Sequence, residues 1–163
     1  MRELWGGIAE VDIAEDWGDV ATLRQVPDHQ EVFAHSSVNK SIIFEILQMD
    51  SKADPKDPIR FFFDDLAKDN DAQDAKIIRT EWLSKENSPF LSHVRQEAIG
   101  QVCEGVQNVP KTGEAADLLT VTLLLFRLPT TETDILIQLN NVPREEADLL
   151  FRTFRLRNEE ALQ

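Results

Sequence analysis

The chain has 163 residues, 42% of them hydrophobic, and carries 30 acidic against 17 basic side chains for a net charge of −13. That length suits a single domain, 1–163, with apolar side chains enough for a core; the acid surplus excludes a nucleic-acid binder, which needs Lys and Arg to meet phosphates. A lone cysteine, Cys103, excludes an internal disulfide and fits a reducing compartment, and no apolar run approaches membrane-spanning length.

The opening Met1-Arg2-Glu3-Leu4 lacks the basic-then-apolar order of a secretion signal, so a soluble intracellular protein is expected. A surface this acidic serves solubility and also steers a basic protein partner. Residues 4–13 read as a strand with Trp5, Gly7, Ala9, Val11 and Ile13 on one side, Gly6-Gly7 marking a bulge or a close backbone approach. Residues 14–19 read as a loop with Trp17 as a core plug, followed by a short helical turn at 19–24.

The stretch Leu23-Arg24-Gln25-Val26-Pro27-Asp28-His29-Gln30-Glu31-Val32-Phe33 comes next. Pro27 fixes its own φ and suits an early turn position, and Asp28 is able to hydrogen-bond nearby backbone N–H groups. Alternation from Glu31 to His35 then predicts a short strand. Two readings of Asp28 and Glu31 stay open: a turn residue and a solvated strand start, or two carboxylates presented on rigid backbone for a partner.

Residues 40–49 are apolar on both sides, which predicts a strand covered on two faces. Asp50 to Pro58 is a polar loop. Asp57 as cap and Pro58 at the first position open a helix whose stripe is Ile59, Phe62, Phe63, Leu66 and Ala67. Lys76 to Leu83 reads as a strand with Ile77 and Ile78 apolar on both faces, Ser88-Pro89 starts a short helix, and Ala98 to Gln107 reads as a strand holding Cys103 as an inert thiol. Asn108 to Asp117 is a hairpin loop. Its start, Gly105 to Thr112, imitates a phosphate-binding loop, but Pro110 removes a backbone donor and the permissive φ that such a loop needs.

Leu118 to Leu128 is the most apolar strand and is expected at the centre of the sheet. Pro129 to Glu132 turns it into Thr133 to Asn140, with Ile135, Ile137 and Leu139 on one face. Ala147, Leu150, Phe151 and Phe154 form a helical stripe after Pro143, and Arg157 to Gln163 is expected to fray. Six or seven mainly antiparallel strands with helices on both faces make an α+β domain, an α/β/α sandwich.

Val26-Pro27-Asp28-His29-Gln30-Glu31-Val32-Phe33, preceded by Leu23-Arg24, resembles the signature of the Ran guanine nucleotide release factors. Leu4-Trp5-Gly6-Gly7 is similar to that family's N-terminal Leu-aromatic-Gly-Gly, and Arg127-Leu128-Pro129 with Thr133-Asp134-Ile135-Leu136-Ile137 is similar to its Arg-Leu-Pro hairpin. The resemblance implies a PsbP-like fold, a monomer with no cofactor, and a partner of the small GTPase Ran in nucleocytoplasmic transport, found in nucleus and cytoplasm. It implies further that the family's functional acidic pair falls on Asp28 and Glu31, with Pro27, His29, Gln30 and Arg24 beside them in the Ran-binding stretch. His29 stands where relatives often carry Asn or Thr, and this chain lacks the family's common aromatic ending.

His29 and His35 stand near Asp28 and Glu31 along the chain, which leaves a small acid–base site as a third reading, but no known catalytic pattern is present. His29, His35 and His93 lack the spacing of a metal site, no Gly-x-Ser-x-Gly elbow occurs, and Cys103 has no evident base. The expectation is a non-catalytic regulator that promotes nucleotide release from Ran, or else an adaptor on the same scaffold that binds Ran or another protein without that effect.

Overall fold

Alternating apolar side chains build a seven-stranded sheet in which every neighbouring pair is antiparallel. The computed structural model describes residues 1–35, 39–110 and 117–162. Along the chain come β1 (Arg2–Leu4), β2 (Ala9–Val11), β3 (Trp17–Asp19), β4 (Gln30–His35), β5 (Ser41–Gln48), helix α1 (Pro58–Asp69) and β6 (Asp74–Leu83). Then follow α2 (Pro89–His93), β7 (Ile99–Val109), β8 (Asp117–Leu128), β9 (Thr133–Asn140), α3 (Arg144–Thr153) and β10 (Arg155–Leu156). The large sheet has the order β3-β4-β5-β9-β8-β7-β6; a small one has the order β1-β2-β10.

Because side chains alternate across a strand, β8 and β9 feed two cores. Val121, Leu123, Leu125 and Leu136 pack against Ile59, Phe62 and Phe63 of α1 on one face. Leu124, Phe126, Ile135, Ile137 and Leu139 pack on the other, with Phe44 of β5, Phe90 of α2, Leu150 of α3 and Leu4, Ala9 and Val11 of the small sheet. Phe90, Phe126 and Phe154 stack with ring centroids 4.0 to 6.3 Å apart. Gly105 lets α1 close down on β7: a Cβ there would meet the Phe63 ring and the Lys76 carbonyl oxygen at 2.6 Å. The expected sandwich, antiparallel with helices on both faces, is present.

Several local expectations need correcting. Residues 4–13 are two strands, because Trp5, Gly6 and Gly7 take positive φ angles of 51°, 65° and 97° and turn the chain back on itself. The middle strand is β9, buried along all its 8 residues, with β8 its neighbour. Ile78 is 65% exposed, since β6 ends the sheet and no element covers it there. Asp57 makes no side-chain cap on α1; its carboxylate accepts instead from Arg60 and Gln101. The tail does not fray. Strand β10 pairs with β2, the Arg157 N–H donates to the Ile8 carbonyl at 2.7 Å, and Glu159 accepts from the Arg95 and Gln96 backbones. Of the apparent phosphate loop, Lys111 and Thr112 lie outside the described residues, as does most of the 108–117 hairpin and Gln163. No helix among the described residues is long and apolar enough to cross a membrane.

Candidate functional site

The predicted turn exists and is closed by backbone alone: the Gln30 N–H donates to the Pro27 carbonyl at 2.9 Å. Asp28, the residue expected to hydrogen-bond within it, is exposed and makes no hydrogen bond or ion pair among the described residues. Its carboxylate stands in solvent, unused by its own turn. The neighbouring carbonyl of His29 is the anchor, accepting the Ile46 N–H of β5 at 3.0 Å and the Trp5 indole N–H at 3.2 Å.

Glu31 has a different setting. It is the second residue of β4, opposite Phe44 and half-buried, and its Oε1 accepts the backbone N–H of Trp5 at 3.1 Å. That donor belongs to the turn made by Trp5-Gly6-Gly7, whose left-handed backbone leaves it without a strand partner. Two sequence motifs far apart along the chain therefore meet at one contact. Burial pushes the Glu31 carboxyl above the ordinary carboxylate range, helped by the charge of Asp19 and opposed by the Trp5 N–H.

These residues line an open depression of about 620 Å³, shared by Trp5, Gly6, Ile8, Asp19, Ala21, Val26 to Val32 and Ile46. Pro27, Asp28, His29, Gln30 and Glu31, consecutive in the chain, all line it. Gln30 is tied down, its amide donating to Glu45 Oε2 at 2.8 Å, and His29 Nε2 lies 3.5 Å from the same oxygen. Arg24 is exposed on the preceding turn, does not line the depression, and pairs with no acid among the described residues. Sequence reasoning missed Asp19, whose Oδ1 caps the turn at Ala21 at 3.0 Å, and Leu23, 87% exposed beside the ledge.

The third motif is structural. Arg127 of β8 faces Asp134 of β9 in register, and its Nε and Nη2 donate to the two carboxylate oxygens at 2.9 Å each. Of the two histidines near the acidic pair in sequence, only His29 stands at the ledge, beside Glu45; His35 lies at the far end of β4 against Asp16. Cys103 is sealed beneath α1 with its thiol pushed up to about 11 by burial, so it is no nucleophile.

A sequence model of the family described as Ran-interacting Mog1 protein matches residues 2–143. The chain belongs to the Mog1 family. It is 37% identical over 144 residues to a Ran guanine nucleotide release factor of Danio rerio, covering 86% of this chain and 76% of that one. It is 31% identical over 145 residues to the nuclear import protein mog1 of Schizosaccharomyces pombe, covering 86% and 75%. Among solved structures it resembles the Saccharomyces cerevisiae Ran-binding protein Mog1p, at a TM-score of 0.73 and 22% identity over 99% of this chain and 96% of that one. A point mutant of protein Mog1 aligns with a TM-score of 0.74 at 21% identity. At that identity the solved structures establish the fold alone.

Proposed function

We propose that this Mog1-family chain is a single Ran-binding domain that grips the GTPase with the Asp28–Glu31 ledge and promotes release of its guanine nucleotide, as a non-catalytic regulator in nuclear transport. The names of its relatives supply Ran, nucleotide release and nuclear import. The observation that carries the assignment to the ledge is the Asp28 carboxylate, without a partner among the described residues and held in solvent on backbone fixed by Trp5 and β5.

The division of labour follows from the geometry. Asp28 is the charge offered to the partner on backbone already held in place, so little backbone entropy is lost on binding. Glu31 holds the Trp5 turn in place from the same depression. A protein that binds nucleotide-free Ran more tightly than loaded Ran must weaken nucleotide binding by the same factor. Each tenfold of that weakening corresponds to about 1.4 kcal/mol of differential affinity. A carboxylate that pairs with a basic group otherwise engaged with phosphate supplies energy of this order.

The test is the release rate of a fluorescent guanine nucleotide from Ran, with wild type and with Asp28→Ala. Acceleration by wild type, reduced on the order of tenfold in a variant with unchanged circular dichroism, is expected. Binding without acceleration would replace this reading with that of an adaptor, and full activity of the variant would remove Asp28 from the site.

A further inference from the structure

At the opposite end of β4, roughly 17 Å from the ledge at strand geometry, three side chains from separate elements converge. Asp16 precedes β3, His35 ends β4, and Glu146 lies in the first turn of α3. One donor atom from each lies within 4.8 Å of the other two. Asp16 Oδ2 is 2.5 Å from His35 Nε2. The His35 side chain is 12% exposed, wedged edge-on to the Trp17 ring at 5.1 Å, whereas Asp16 is open to solvent.

The Glu146 carboxylate marks the place as more than a surface ion pair. Its Oε2 is sealed from solvent and has no hydrogen-bond partner among the described residues. A buried carboxylate oxygen left unpaired is costly, and the nearest compensation is a positive charge between it and the imidazole. Two carboxylates and one neutral imidazole carry two negative charges, the complement of a divalent cation. Imidazole with carboxylate is the donor set of Zn²⁺ and its transition-metal neighbours, while Mg²⁺ and Ca²⁺ prefer oxygen alone. Ligand atoms on a tetrahedral Zn²⁺ lie about 3.3–3.6 Å apart, given bonds of about 2.0–2.2 Å, so small side-chain rotations suffice. The exposed Asp16 side leaves the fourth position to water.

We propose that Asp16, His35 and Glu146 form a Zn²⁺-class metal site that ties α3 to the β3–β4 edge of the large sheet. The site is independent of the Ran-binding reading: it shares no residue with the ledge. No spacing in the sequence announces it, because its three ligands come from a loop, a strand end and a helix distant along the chain.

Chelator-treated full-length protein titrated with ZnCl₂ in a calorimeter, with tryptophan emission followed in parallel, tests this. Saturation at one equivalent is expected, with an emission change from Trp17 and a raised unfolding temperature. Glu146→Gln and His35→Gln are expected to weaken binding at least about tenfold, since even groups behind metal ligands change affinity by that much. Glu146 is half-buried and Gln matches its shape, so its variant keeps the test valid where the His35 variant loses its fold. His29→Gln is expected to leave the affinity unchanged. Absence of binding, equal affinity in wild type and Glu146→Gln, or equal competition by MgCl₂ would each overturn the site and leave a hydrogen-bonded Asp16–His35 pair.

Discussion

Glu31 sits half-buried between β4 and the Trp5 turn, with Oε1 on the Trp5 N–H. Its folded pKa is raised, chiefly by burial, so the folded state binds the proton more tightly than the unfolded chain does. The charge on Glu31 therefore costs stability at every pH above that folded pKa, and the cost fades as the pH falls through it. Glu31→Gln keeps an oxygen for Trp5 and removes the charge. It is expected to unfold at the same or a higher temperature than wild type at about pH 7, and to lose that advantage by about pH 4, where carboxyl groups protonate. Thermal melts across that range decide it. A variant much less stable than wild type at neutral pH would show that the ionised form is needed by the fold. Asp28 makes no such demand, and its position in solvent is the feature that separates a displayed acid from a turn-former.

The β8–β9 hairpin carries a different kind of ionic contact. Asp134 is fully buried and Arg127 is 5% exposed. Truncating one partner strands the other charge in the core, at a cost of roughly 3–5 kcal/mol, while replacing both by apolar residues of similar volume is often neutral or stabilising. Arg127→Ala is expected to lower urea stability by that amount, and Arg127→Leu/Asp134→Leu to recover most of it; a double variant as unstable as the single one would make the pair a net stabiliser. The strands of this hairpin were legible because an apolar run bounded by a proline turn is written locally, as was the stripe of α1. The turn at Trp5-Gly6-Gly7 was not, because alternation is blind to the sign of φ. The tail read as frayed because its polar residues owe their order to distant partners, Ile8, Arg95 and Gln96. At the site, residue pattern left Asp28 and Glu31 undecided and resemblance singled them out. The contact between Glu31 and Trp5 spans 26 positions and carries no local signature.

For the molecule as a whole, a net charge of −13 sets a long-range field. Association with Ran through an acidic ledge is expected to slow on the order of tenfold as salt rises from about 0.05 M to 0.5 M, with a much smaller change in dissociation. Stopped-flow mixing reads both rates, and a salt-independent association rate would mean that apolar contacts such as Leu23 dominate the encounter. The other end of the sheet tells a separate story. Strand β6 offers a ten-residue edge, long enough to recruit a strand from a neighbouring chain. Its register with β7 breaks between Ile77 and Arg79, and Arg79 is clamped between Glu81 and Glu104. A newcomer would have to follow a kinked ladder and strip water from Lys76, Arg79 and Glu81. The residues that finish the sheet thereby also end its growth, so crowding these molecules together gives no flat template on which a fibril could be seeded.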